Sequence, residues 1–380
     1  MHATLHDVTG HPDVTDWSSL AHFHLGPGTT VPAEIVVKQS NWSLYALDKS
    51  TRQAIFVDLP ADLDLSKSPF AYSDQQRFAR RVLKVPFEVL SDLSEKIPPP
   101  QKVIFIFSTG RCGSTLVANA LSTAPSVWSL SEPDVYSLLI MQNYSDGDRL
   151  DYSPDEVIGL ISACTRLLFR PLPDRDCKVL AVKFRSQTFF QADLYRAAWP
   201  DASFVFLYRD AMTWANSIYQ MCRKYGFPSV LTGVRRRHIW NAFAAATDVA
   251  RLRPFVDIDA PEVLMEDGLA PCWACNMEEY NRHLSAGVPF MALRYNDLNT
   301  DRAESLRHLF AHCGLSDEDA ANALSSFDHD SQAGTMLSQK VPADGLTKDQ
   351  MARVRRILDL QPIYNDPDLR LVDIYTGTTR

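Results

Sequence analysis

No apolar run in this 380-residue chain approaches the roughly 20 residues that a helix needs to cross a bilayer. The opening stretch, MHATLHDVTGHPDVTDW, lacks the charged-then-apolar pattern of a secretory leader, so the expectation is a cytoplasmic chain without a membrane span. Basic residues are outnumbered, 38 Lys and Arg against 46 Asp and Glu, for a net charge of −8. That balance argues against wholesale binding to nucleic acid or to an anionic membrane, although a few cations gathered at one site would not show in the sum. Cysteine is sparse. Seven residues, an odd number scattered without a repeated framework, fit reduced thiols. The single C-x-x-C, Cys272-Trp-Ala-Cys275, has His283 eight positions on but no second pair to complete a ligand set, so no metal is expected. There is neither an internal repeat nor a low-complexity tract. Five of the ten histidines fall at His2, His6, His11, His22 and His24, which reads as a mobile polar end.

What is present is an ordinary globular composition, 46% hydrophobic and 22% charged, with one segment of unusual character. In VIFIFSTGRCGSTLV, residues 103–117, a buried run stops at a Gly-x-x-Gly-Ser-Thr turn and resumes with helical character. Val103–Phe107 read as a strand covered on both faces, and Ser114–Leu121 as the helix that follows. Gly110 and Gly113 permit backbone angles in which successive N–H groups converge on one anion at the positive end of that helix. A nucleotide triphosphatase would carry lysine directly after the second glycine. Ser114 stands there instead, and the cation comes earlier, at Arg111.

The loop resembles the 5′-phosphosulfate loop of sulfotransferases, which use 3′-phosphoadenosine-5′-phosphosulfate (PAPS), in the R-x-G-S-[ST] form of carbohydrate and many bacterial members. A second match is SFVFLYRDAMTWANS, where Arg209 closes an apolar run and Ser217 follows eight positions later. In the family an arginine and a serine so spaced hold the 3′-phosphate; a guanidinium fork suits phosphate oxygens and a helix hydroxyl adds a donor. A third is Glu132, 21 positions after Arg111 and followed by proline, at the place of the general base in the carbohydrate enzymes. The resemblance covers about a third of the chain, residues 102–220. It implies Gly110, Arg111, Cys112, Gly113, Ser114, Thr115, Arg209 and Ser217 as cofactor contacts, with Glu132 and Arg111 as catalytic residues. It also implies a small-molecule acceptor and no need for metal. Lys183 and Arg185, at the end of VLAVKFR, are candidate contacts to sulfate or acceptor. His238, beside Arg235–Arg237, is the alternative base. Gln332 and Lys340 are candidates in a C-terminal cofactor loop.

Two other classes stay open: a P-loop kinase or nucleotide hydrolase with Asp210 as its Mg²⁺ acid, and a non-catalytic adenosine-phosphate-binding scaffold. The expected fold is α/β, a P-loop-type parallel sheet flanked by helices on both faces, built from the runs at 103–107, 179–184, 204–208 and 290–294, with a small N-terminal α+β module. Residues 1–100 are expected to form that module and 101–380 the P-loop domain, with Pro98-Pro99-Pro100 as a stiff linker. Within the module EIVVKQ, NWSLYALD and RQAIFVDLP read as strands, and a helix capped at Ser73 or Asp74 reads through Leu83. Thr347 and Gln350 form a capping box for a last helix. Oligomeric state, a dimer included, is left open.

Overall fold

A computed structural model describes residues 1–12, 18–141, 152–171, 174–233, 253–255, 257, 260–338 and 340–372. The chain divides into two compact units, each drawn from separated stretches. One takes Met1–Phe105, Leu121–Asn143 and Arg149–Ala202; the other takes Ile106–Ala120 and Ser203–Arg380, each within the described residues.

The first unit contains a sheet of β1 (His2–Gly10), β2 (His24–Leu25), β3 (Thr29–Pro32), β4 (Trp42–Asp48), β5 (Gln53–Asp58) and β6 (Arg81–Pro86). Its order is β2-β1-β6-β5-β4, with β3 also on β1, and the pairing is antiparallel throughout. Three expectations are corrected here. The histidine-rich start is a nine-residue strand, and His22 is 1% exposed with Nδ1 3.0 Å from the Tyr45 hydroxyl. The β-branched EIVVKQ is one helical turn, Ile35–Lys38, that buries Val36. The helix opening at Ala71 stops at Phe78, and Leu83 lies in β6, whose backbone is satisfied by β1 on one side and β5 on the other. Two-sided pairing overrides the local helical appearance of that stretch, and the β-branched Val82 and Val85 are its residue-level signal.

The second sheet is the parallel one: β7 (Lys102–Ser108), β8 (Val127–Ser131), β9 (Val179–Lys183), β10 (Ser203–Tyr208) and β13 (Phe290–Arg294), in the order β13-β10-β7-β9-β8. Between β10 and β13 the chain forms a two-stranded ribbon of β11 (Val230–Thr232) and β12 (Glu262–Leu264). Every expected run is a strand of this sheet. Ile104, Phe105, Ile106 and Phe107 are fully buried, as a strand covered on both faces requires. In the first unit Phe184 packs against Phe105, Tyr136 and Tyr195 at ring separations of 4.8–5.4 Å. In the second, Phe290 packs on Phe107, Phe204 and Tyr280 at 5.7–5.8 Å. After β7 the chain moves to one side of it, toward β8 and β9, and later returns to the other side as β10. This is a topological switch point.

The expected final helix is Lys348–Asp359, with the reciprocal Thr347–Gln350 capping box in place. All seven cysteines are buried and none is in a disulfide. Burial pushes the thiols of Cys164 and Cys222 up to about 12, and only thiolate is nucleophilic. The native protein is therefore expected to react slowly with an aromatic disulfide reagent at pH 8 and to release all seven equivalents when unfolded in guanidinium. A stoichiometric fast phase in the native state would contradict this packing.

Candidate functional site

Beyond β7 the chain enters three left-handed conformations within four residues: Gly110 (φ 72°), Arg111 (φ 52°) and Gly113 (φ 83°). A non-glycine residue there is strained by about 1–2 kcal/mol and persists only where its surroundings hold it. The surroundings are visible. Thr109 N–H donates to the Leu207 carbonyl at 3.0 Å, and the Cys112 thiol donates to the same oxygen at 3.3 Å. Trp214 Nε1 donates to the carbonyls of Thr109 and Gly110 at 3.0 and 3.1 Å. Gly113 lies against the Tyr295 ring, 2.9 Å from where a Cβ would stand. The turn delivers the chain to the helix Ser114–Ser122, with Ser114 and Thr115 each 5% exposed.

Arg111 reaches across to the helix Ala211–Lys224. Its Nε donates to Ser217 Oγ at 3.3 Å, and its Nη1 donates to Gln332 Oε1 at 2.8 Å. Burial first, then the nearby Arg209 cation, hold its pKa below the ordinary arginine value. Arg209 stacks over the Tyr295 ring at 4.4 Å and donates from Nε to Thr213 Oγ1 at 2.7 Å. The loop, Arg209, Ser217 and Gln332, separated by more than 200 residues in sequence, thus surround one another within the second unit. Lys340 is exposed. Asp210 is occupied as the N-cap of its helix, accepting from the Thr213 amide at 2.9 Å and from the Thr213 hydroxyl.

The first unit holds the other candidates. Glu132 directly follows β8 with φ 53°, in the left-handed region as Arg52 and Arg111 are, and its N–H donates to the Lys183 carbonyl at 2.7 Å. Its carboxylate pairs with Lys183 Nζ, and its Oε2 lies 3.8 Å from Arg185 Nε. Arg185 donates to Asp134 Oδ1 at 2.6 Å, while Asp134, 1% exposed, accepts from Ser18 N and Oγ at 3.2 and 2.8 Å. Burial disfavours the Arg185 cation, but the Asp134 and Glu132 carboxylates outweigh it and hold its pKa above the ordinary value. The Tyr72 ring faces the guanidinium at 4.2 Å, and Phe70 lies 5.8 Å from Lys183 Nζ. Glu132, Lys183 and Arg185 are therefore one cluster. Asp134, Ser18, Phe70 and Tyr72 complete it and were not singled out in the sequence; Asp134, two residues beyond Glu132, was the one within reach.

His238 and its basic neighbours lie outside the described residues. Cys272, Cys275 and His283 are all buried on the helix Leu269–Ser285, where Glu279 pairs with His283 Nε2 at 3.2 Å.

No protein-family model matches the chain, and no curated protein matches it. Among solved structures it is similar to a sulfotransferase from Alicyclobacillus acidocaldarius, at 16% identity and a TM-score of 0.38 over 65% of this chain and 97% of that one. It is also similar to the sulfotransferase domain of the curacin biosynthetic pathway, at 15% and 0.39 over 70% and 99%. A third likeness is to a mouse sulfotransferase complexed with PAP, at 14% and 0.36 over 72% and 87%. Likenesses at that level say nothing of activity, which has to be read from the side chains.

Gly113→Ala adds a methyl group against Tyr295 at a left-handed position and is expected to lower unfolding stability by about 1–3 kcal/mol. Urea denaturation monitored by tryptophan fluorescence measures it. An unchanged midpoint would mean that the turn is not held as described.

Proposed function

We propose that this chain is a sulfotransferase that takes PAPS and moves its sulfuryl group to a hydroxyl or amine of a small acceptor, a sugar or lipid among the candidates. The observation that carries the reading is the direct bond from Arg111 in the phosphate-type loop to Ser217, on the helix that begins two residues after Arg209. Those three residues are the ones the resemblance to sulfotransferases implies, and they belong to one polar group.

The residues suit a ligand with several phosphate-type charges. The turn preceding the helix presents left-handed backbone at three positions, two buried hydroxyls stand at the start of that helix, and the two arginines are met by neutral acceptors and a ring face. Ser114, Thr115 and the loop amides would hold the 5′ end, and Arg209 and Ser217 the 3′-phosphate. PAPS, when bound, supplies the activated sulfuryl group. Arg111 would neutralise negative charge that develops at the loop, a kind of contribution worth roughly 10²–10³ in rate for one preorganised donor. Glu132 would take the acceptor's proton, with Lys183 and Arg185 fixing its carboxylate. The kinase reading is weakened by Ser114 in the place of lysine and by the use of Asp210 as a helix cap. No helix among the described residues is long and apolar enough to cross a membrane. A cytoplasmic setting, and a division of labour between residues 1–100 and 101–380, belong to the same proposal.

Glu132→Gln keeps shape and removes the base. It is expected to bind adenosine 3′,5′-bisphosphate within about threefold of the wild type and to lose roughly 10²–10⁴ in acceptor-dependent sulfuryl transfer from PAPS. Radiolabelled PAPS with a panel of sugar, lipid and phenolic alcohols measures it. Undiminished transfer would reduce Glu132 to an ion-pair partner. Mg²⁺-dependent transfer from ATP, with none from PAPS, would favour the kinase.

A further inference from the structure

We infer that Lys224 is a further ligand-binding residue of this chain, a third cation that meets the 3′-phosphate beside Ser217; the inference rests on the sulfotransferase reading and deepens it. Lys224 closes the helix Ala211–Lys224, seven residues after Ser217. Seven residues are nearly two full turns, so the two side chains share a face about 10 Å apart along the axis. Helical side chains lean toward the N-terminus, which brings a long lysine back toward the serine.

A circuit of hydrogen bonds ties the two residues together. Lys224 Nζ donates to the Ser338 carbonyl at 2.9 Å, and Ser338 Oγ donates to Asp330 Oδ2 at 2.6 Å. Asp330 Oδ1 accepts from Gln332 N at 3.0 Å, and Gln332 Oε1 accepts from Arg111, which donates in turn to Ser217. The contacts of Lys224 and Arg111 in this circuit are a carbonyl, an amide and a hydroxyl. Among the described residues no carboxylate forms an ion pair with Lys224, Arg111 or Arg209; Asp330 acts on Lys224 only at longer range and is engaged in shaping its own loop. Burial and Arg111 lower the pKa of Lys224, as burial and Arg209 lower that of Arg111, so each cation is held at an electrostatic cost. Clustered like charges that are met mainly by neutral acceptors are relieved by a polyanion, whose oxygens can replace a carbonyl or an amide oxygen without displacing an ion pair. A lysine serving only to anchor the 330–338 loop would not need to stand near Arg111.

Calorimetric titration without metal, using adenosine 3′,5′-bisphosphate, adenosine 3′-monophosphate and adenosine 5′-monophosphate, separates the roles. Lys224→Gln keeps a donor for the Ser338 carbonyl and removes the charge. It is expected to weaken the bisphosphate and the 3′-monophosphate about tenfold, the scale of one charge-assisted contact, and the 5′-monophosphate less than about twofold. Lys224→Arg is expected to stay within about threefold of the wild type for all three. Retained 5′-monophosphate binding reports that the variant is folded. Unchanged bisphosphate affinity in Lys224→Gln, or an equal loss for all three ligands, would overturn the assignment while leaving the sulfotransferase reading intact. Failure of the wild type to bind any of the three would overturn both.

Discussion

The sharp reversal between β7 and the helix Ser114–Ser122 is the constraint on which the second unit's candidate site depends. Arg111, left-handed between two left-handed glycines, costs conformational energy, and the turn is held by a carbonyl that receives two donors, a tryptophan that spans two further carbonyls, and a tyrosine ring that leaves no room for a side chain at Gly113. Because the turn is held from outside, Arg111 is delivered to a defined place. A glycine at that position would relax the backbone and lose the guanidinium. Retaining arginine in strained geometry fits a residue kept for its charge.

Electrostatics then divides the two groups of candidates. Around Lys183 and Arg185 the cations are matched by the carboxylates of Glu132 and Asp134, in a cluster only partly open to solvent. Around Arg111, Arg209 and Lys224 the acceptors are neutral. A balanced cluster is self-sufficient and suits orientation of a base; an unbalanced one suits an anion from outside. The chain's net charge of −8 hides this local excess entirely.

Much of the parallel sheet was legible because its strands are short apolar runs bounded by turns, and burial on both faces makes such runs stand out. Arg111, Arg209 and Ser217 were picked out by their resemblance to the sulfotransferase motifs, and Arg111 and Ser217 lie in direct contact. The failures share a cause. β6 looks helical until β1 and β5 claim its backbone, and β1 looks like a polar tail until its partners are known. Asp134, Tyr72, Tyr295 and Lys224 acquire their roles through packing with segments tens or hundreds of residues away, which spacing in one sequence does not reveal. The division of β7 between two units is likewise a property of long-range packing.

The central claim is that the loop's arginine and its neighbours form a metal-independent site for an adenosine bisphosphate. Calorimetric titration of adenosine 3′,5′-bisphosphate into the wild type and Arg111→Ala, in chelator and against ADP with Mg²⁺, tests it most directly. The account predicts binding in chelator, preference over Mg-ADP, and a loss of at least about tenfold without Arg111. Preference for Mg-ADP, or indifference to Arg111, would contradict it.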